Sequence, residues 1–398
     1  MISVENALER ILAAASPLGP EIVALPQALG RVLAEDLAAR VAHPPVAVSA
    51  MDGYACRAED IATVPVTLKV IGESAAGHPW GGSVGPGGAV RIFTGAAVPQ
   101  GADAVVMQED TERDGGMVTV RTDKGGHIRP AGNDFSVGDV LLRAGAVMGP
   151  RQIGLAAAMN IPWVAVRRRP RVAVLSTGDE IAMPGEPLAP GQIVSSNGPA
   201  LAALIQRQGC EVIQLGIARD SRDSLEAMLQ AAAGADLLVT SGGVSVGDYD
   251  IVQDVMAQRG MSLDFWKIAI RPGKPLMFGT LGAVPVLGLP GNPVSALVTA
   301  YVFLLPMLRA MQGLAPVQPP VPAVLGCDLK ANGERQDYMR AGLERRPDGT
   351  LVATPFAKQD SAVLSGLAAA GCLAIRPPHA PAAKAGDRVD VVPLPDGL

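Results

Sequence analysis

Two kinds of hydrophobic pattern alternate along the chain. Residues 1–40 carry apolar positions at helical spacing in VENALERILAAAS and again in LPQALGRVLAEDLAA, which predicts two helices. HPPVAVSAMDGYA then breaks the pattern. From Val64 to Val147 short apolar runs stand between glycines: VTLKVIG, GGAVRIFTG, ADAVVMQE, MVTVRT and GDVLLRAG. Runs of that length, rich in β-branched residues and bounded by turn residues, predict a β-rich module. IGLAAAMNIP reads as a short helix, and RRRP at 167–170 marks a boundary.

Beyond the boundary, strand and helix patterns take turns. RVAVLSTGDE, EVIQLGIARD and ADLLVTSGG each read as a strand running into a polar loop. SNGPALAALIQRQG, SRDSLEAMLQAAAG and DIVQDVMAQRG read as the intervening helices. Ser196 or Asn197 is the candidate N-cap of the first, and Gly209 its C-terminal stop. FWKIAIRPGKPLMFGT reads as two strands around a PGKP turn, and VPVLGLPGNPVSALVTAYVFLLPML as strand, loop and helix. This alternation predicts a doubly wound, mostly parallel sheet. LAPVQPPVP at 314–322 is a proline-rich linker. The runs VLGCDL, DYMRAGLERR, TLVATPF, GCLAIRP and RVDVVPL after it predict a C-terminal β domain. The expected fold is therefore multidomain α/β. Its parts are 1–42 with 138–169, an inserted β module at 43–137, the α/β domain at 170–314 and a β domain at 315–398.

Composition narrows the class. A chain of 398 residues holds more than one core. With 48% apolar and 18% charged residues, global disorder is excluded. A net charge of −5 argues against a general nucleic-acid binder. The four cysteines form no CxxC pair, so buried thiols in a reducing compartment are expected, with no zinc site. MISVENALERILAAAS has acids and no sustained apolar core, so no signal peptide is expected. Pro275 to Leu308 is uncharged but interrupted by Pro285, Pro290, Pro293 and Pro306. Strand, turn and buried helix explain it better than a membrane span. The expected location is the cytoplasm.

Candidate chemistry concentrates at strand ends. In open α/β sheets ligands sit outside the carboxyl ends of the strands. Four loops leave such ends: STGDE (176–180), ARD (218–220), TSGGVSVGDYD (240–250) and LPGNP (289–293). Gly242, Gly243 and Gly247, interleaved with Ser241 and Ser245, would let backbone N–H groups approach an anion. A plain strand-to-helix turn is the alternative. Asp248 and Asp250 would repel a phosphate unless a divalent cation lay between. Mg²⁺ takes one or two carboxylates together with substrate phosphates. Asp179, Glu180 and Asp220 at neighbouring ends could join that site, although one acid could simply cap the next helix. In LPGNPVSA, Pro290 and Pro293 stiffen the backbone around Asn292, and Pro293 suits the first helical position. Lys267, Arg271 and Lys274 form a basic group that suits an oxyanion or phosphate; ordinary surface cations are the alternative. Asp52, beyond the Pro-Pro corner, reads as a presented carboxylate in a loop-like stretch, PPVAVSAMDGYA; FTGAAVPQGADAVV reads as loop-like too.

Taken in order, SAMDGYA, IFTGAAVPQGADAVVMQED, STGDE, GQIVSSN, SGGVSVGDYD, FWKIAIRPGKP and LPGNPVSA resemble the molybdopterin molybdenumtransferases. These are the MoeA-type molybdenum insertases, to which the gephyrin E domain is related. The resemblance runs from about Ala7 to the C-terminus. It implies an enzyme that takes adenylylated molybdopterin and molybdate, inserts the metal into the dithiolene, and releases AMP and molybdenum cofactor with Mg²⁺. It implies a homodimer built on residues 1–42 and 138–169, with the active site at the interface, and a barrel-like C-terminal domain. Asp52, Thr94 and Asp134 would reach that site from the inserted module. Glu180, Asp220 and Asp250 would shape the metal and phosphate site, and the loop with Ser241, Gly242, Gly243, Ser245 and Gly247 would hold the phosphorylated pterin. Lys267, Arg271 and Lys274 would bind pterin phosphate or molybdate, Pro290, Asn292 and Pro293 would form a wall, and Arg340 and Ser361 would line the molybdate side. Arg271 departs from the lysine of several relatives. Transient contact with the molybdopterin adenylyltransferase is a further implied partner. That adenylyltransferase, and a non-catalytic pterin-binding scaffold, are the competing readings. Both are disfavoured by the chain's length and its Asp52 motif, or by the lack of a fused second domain and long linker.

Overall fold

The computed structural model describes residues 1–243 and 251–394. The chain divides into two compact units, residues 1–20 with 167–398, and residues 21–166.

The unit 21–166 is built on a six-stranded sheet. Its order is Ala104–Met107, Gly53–Cys56, Gly88–Ile92, Val66–Ser74, Met117–Val120, Thr111–Asp114. Tyr54, Cys56, Leu68, Val106 and Val118 fill one face. Here the sequence expectation needs correction twice. GYAC belongs to a stretch that reads as loop, yet it is a buried strand paired on both sides, Gly53 opposing Ile92 and Met107. A Cβ on Gly53 would lie 1.9 Å from the Val106 carbonyl oxygen, so the glycine is what lets the strand enter. The second helix expected before residue 40 is also absent. Pro20–Ala24 is a strand, Leu25–Ala28 a single 3₁₀ turn, and Gly30 has φ +73°. Val32 and Leu33 bridge to Val147 and Val166. The apolar residues are buried from an extended chain by partners over a hundred positions away, which local spacing does not report. The expected short helix does form, as Pro150–Ala158.

In the other unit, Val4–Ala13 is the expected first helix. Ser3 caps it, accepting from the Asn6 N–H at 3.1 Å, and Val4, Ala7 and Ile11 form its buried stripe. They pack into the same core as Val172, Ile205, Leu287 and Phe303. The central sheet runs Glu211–Ala218, Arg171–Thr177, Leu237–Ser241, Val284–Leu289, Met277–Leu281, Met261–Phe265. The first four strands are parallel and Met277–Leu281 is antiparallel to its neighbours, so the sheet is mostly parallel, as expected. Helices Asn197–Arg207, Arg222–Ala231 and Ile251–Gln258 follow the strands as the pattern predicts.

The uncharged run ends in helical segments Pro293–Thr299, Ala300–Leu304 and Leu305–Met311. Their 19 residues are long and apolar enough to cross a membrane by length and composition, but 72% of the apolar window is buried inside the domain. The C-terminal strands Gln336–Arg345, Leu351–Pro355, Val321–Leu325, Arg388–Pro393 and Cys372–Arg376 close on one another through a pairing of the last with the first. The result is a five-stranded barrel, and closure leaves no open edge.

Burial pushes the thiols of Cys56 and Cys210 up to about 12 and that of Cys372 up to about 11, whereas Cys327 is half-buried. Iodoacetamide at pH 8 is therefore expected to label the native protein at Cys327 and to reach all four cysteines only after unfolding. Peptide mass mapping of native and denatured samples checks it.

Candidate functional site

The carboxyl ends of Arg171–Thr177, Leu237–Ser241 and Val284–Leu289 converge on a cleft of about 680 Å³. Its polar floor includes Ser176, Thr177, Ser195, Asn197 and Ser241, and Glu180 and Pro290 stand at its sides. Two glycines turn the corner after Ser241. Gly242 has φ +92° and Gly243 φ +64°, a region that β-carbons disfavour. A Cβ on Gly242 would meet the Thr177 carbonyl oxygen at 2.6 Å, and one on Gly243 would meet Val252 at 2.4 Å. The loop therefore lies directly on the neighbouring strand end, as the SGG spacing suggests.

Asn197 is a site residue that sequence reasoning missed. It reads as a helix N-cap, but neither it nor Ser196 caps with its side chain. Asn197 Nδ2 instead donates to Ser241 Oγ and to the Gly291 carbonyl, both at 2.8 Å, tying three strand ends together. Its Oδ1, with Thr177 Oγ1 and Thr240 Oγ1, is buried without a hydrogen-bond partner among the described residues. Unpartnered buried oxygens cost stability, and they cluster here beside the cleft. The GQIVSSN motif was the available signal; nothing local said the side chain turns away from its own helix.

The LPGNP turn behaves as the prolines predict. Asn292 sits at the N-cap position and Pro293 opens the helix. Ser361 reaches this turn from the barrel domain: Asn292 Nδ2 donates to Ser361 Oγ at 3.2 Å and the Val294 N–H to the Ser361 carbonyl at 3.1 Å. Arg340, expected to line the ligand side, does something else. It is 1% exposed, and its guanidinium donates to the carbonyls of Val363 at 3.0 Å and Lys358 at 3.3 Å. Gln359 closes the strut, accepting from the Arg340 N–H at 3.0 Å and donating to the Arg340 carbonyl at 2.9 Å. Burial lowers the guanidinium pKa from its ordinary value. Arg340 thus shapes the loop that carries Ser361 and does not line the cleft.

The three expected cations also sit differently. Pro275 lines the cleft, but Lys267, Arg271 and Lys274 do not. Lys267 Nζ lies 4.5 Å from the centre of the Trp266 ring. Arg271 and Lys274 border a separate cavity of about 330 Å³ with Arg335 and Asn332. Arg271 forms a two-pronged ion pair with Asp337, which raises its already high pKa. Among the acids, Glu180 lines the cleft, and Asp179 Oδ1 accepts from the Asp220 N–H at 3.2 Å. Asp220 itself is not part of the lining. No group of three His, Cys, Asp or Glu side chains suited to a metal occurs among the described residues. The expected set of Glu180, Asp220 and Asp250 includes a residue outside the described ones. Ser245, Gly247, Asp248 and Asp250 lie outside the described residues.

The unit 21–166 brings two expected residues together across 42 positions. Asp52 Oδ1 accepts from the Thr94 N–H at 2.7 Å and the Thr94 hydroxyl at 2.8 Å. These bonds, the backbone one foremost, hold the half-buried Asp52 carboxyl below the usual carboxylate range. Asp134 lines a cavity of about 600 Å³ with His43, Pro44, Arg129 and Gly95, the neighbour of Thr94. Thr94→Val removes one of the two donors to Asp52. Its carboxyl pKa is expected to rise toward the ordinary value, read by NMR titration. The stabilisation that ionised Asp52 lends is present above the unfolded carboxylate pKa and is lost as pH falls through the folded one. In the variant the gap between the two narrows, so less stability is lost and the loss is complete at higher pH.

An open, parallel-rich sheet with a glycine-cornered polar cleft at its strand ends defines a class of α/β protein built to take a small molecule there. The chain matches the MoeA N-terminal region (domain I and II) over residues 2–160, a probable molybdopterin binding domain over 173–310, and the MoeA C-terminal region (domain IV) over 322–394. It belongs to the molybdopterin molybdenumtransferase family. A molybdopterin molybdenumtransferase of Nostoc sp. is 40% identical over 387 residues, covering 94% of this chain and 89% of the relative. One from Haemophilus influenzae is 37% identical over 401 residues, covering 99% of each. The crystal structure of a molybdopterin biosynthesis MoeA protein from Pyrococcus horikosii superposes with a TM-score of 0.85 at 33% identity, covering 99% of both chains.

Proposed function

We propose that this chain inserts molybdate into adenylylated molybdopterin, cleaving the adenylyl phosphoanhydride and releasing AMP and molybdenum cofactor. The observation that carries the reading is the 680 Å³ cleft, whose glycine corner and unpartnered polar floor belong to a chain of this family. Backbone N–H groups at the Gly242–Gly243 corner would meet the pterin phosphate. Asn197 and Thr177 would lie in the floor beneath the pterin. Arg271 and Lys274, in their neighbouring cavity, would hold molybdate, a tetrahedral dianion. The Asn292–Ser361 contact would keep the cleft wall in place.

Mg²⁺ needs only one or two carboxylates when substrate phosphates supply other ligands, and Glu180 in the cleft wall fits that demand. Glu180, with Asp220 and Asp250, would hold the cation, which supplies charge neutralisation during phosphoanhydride cleavage. Asp52 and Thr94 would enter from the second copy of a homodimer, working in the cytoplasm and receiving substrate from the molybdopterin adenylyltransferase.

The test is AMP release from adenylylated molybdopterin by the purified protein with Mg²⁺, with and without molybdate. Molybdate-dependent AMP with formation of active cofactor is the expected result. Tight pterin binding without AMP would instead favour a carrier or scaffold. Sedimentation giving only a monomer at working concentration would remove the shared-site part of the proposal.

A further inference from the structure

The Arg271–Asp337 pair joins two parts of one unit. Strand Ile270–Arg271 runs parallel to Gln336–Arg345 of the barrel, with Arg271 opposite Asp337 and the Gln336 N–H donating to the Ala269 carbonyl at 2.9 Å. The main chain alone thus fixes where the two Cα atoms lie. The side chains add a second constraint. Both oxygens of Asp337 take Arg271, one from Nε and one from Nη2. The two partners are not alike: the Asp337 side chain is 6% exposed and that of Arg271 55%. The carboxylate is sunk in the protein and spends itself on the arginine. The arginine remains open on its other edge, and its Nη1 makes no further hydrogen bond among the described residues.

Arg271 borders the 330 Å³ cavity, where Lys274 and Arg335 add positive charge and Glu334 is the acid in the lining; on its other side Arg271 and Asp337 line a cavity of about 520 Å³. Even with Asp337 counted against Arg271, three cations face two carboxylates, a net positive balance that suits an oxyanion. A free arginine would have to be ordered when the anion arrives. The buried fork orders it beforehand, as outer partners do for metal ligands.

We infer that Asp337 is a positioning residue: it sets the Arg271 guanidinium so that its free edge meets the oxyanion substrate. This rests on the proposed role of Arg271 toward molybdate. A bond that served only to staple the barrel strand would matter to stability and not to the anion.

The experiment compares Asp337→Asn, Arg271→Lys and Arg271→Ala in the full chain. Molybdate binding is read by calorimetry, turnover by AMP release, and stability by thermal melting. Asn keeps the size of Asp337 but loses the second oxygen. It is expected to raise the molybdate Kd and KM about tenfold with kcat within about twofold, the lower end of what outer-shell partners contribute. Arg271→Lys keeps the charge and loses the fork, and is expected to weaken molybdate to a similar extent. That variant also carries the test should Asp337→Asn fail to fold. Asp337→Glu, which keeps both oxygens, is expected to recover part of the affinity. If Asp337→Asn and Arg271→Lys bind molybdate as the parent does while Arg271→Ala binds it poorly, the positioning role is overturned and the reading of Arg271 survives. If Arg271→Ala leaves molybdate binding unchanged, both fail.

Discussion

Gly242→Val is expected to abolish pterin binding and to lower stability measurably. The backbone at this corner sits at φ +92°, where a β-branched residue is strained by about 1–3 kcal/mol. The added Cβ would also lie 2.6 Å from the Thr177 carbonyl oxygen, which is backbone and cannot swing away. One of the two strand ends must then shift, and the cleft floor shifts with it. Gly349→Val is the control: its φ is +88° and nothing lies within 4 Å of the added Cβ. It carries a similar dihedral strain without a clash. Thermal melts of both variants, with fluorescence titration by molybdopterin, separate strain from loss of the site. Normal pterin binding by Gly242→Val would remove this corner from the binding site.

On the proposed role of Asp52 at the shared site, Asp52→Ala is expected to lower AMP formation by about 10²–10³-fold, the scale on which removing one preorganised electrostatic group slows an enzyme. The melting temperature is expected to move little. The half-buried carboxylate directly precedes the buried strand Gly53–Cys56, and its side-chain partners are the Thr94 N–H and hydroxyl. Asp250→Ala is expected to behave alike. A sharp fall in melting temperature without a matching loss of turnover would make Asp52 a clamp on the Thr94 loop.

Much of the site was legible because its chemistry is local. The glycines after ADLLVTS and the prolines around Asn292 are each short-range signals with a backbone reason. What could not be read was where long side chains end. Arg340, Arg271 and Lys274 are equivalent as positive charges in the sequence. The structure buries the first as a strut, pairs the second with Asp337 and leaves the third in a separate cavity. Asn197 looks like a cap and is a cross-tie between strand ends. Asp337 and Gln359 gave no signal, since their partners lie on other elements.

By itself the sequence determined the alternation of strand and helix after residue 170, the β character of the module and the tail, the proline start at Pro293 and, among the loops expected at the cleft, STGDE, the SGG corner and LPGNP. Each follows from side-chain period or from backbone limits at glycine and proline, which act over a few residues. Only the tertiary structure decided that GYAC is a central strand and that LPQALGRVLAEDLAA is not a helix. It also decided the closure of the tail into a barrel and which polar oxygens are buried beside the cleft without a partner among the described residues. Those outcomes depend on partners distant in the chain, and burial against them outweighs the weak local preference of the residues themselves.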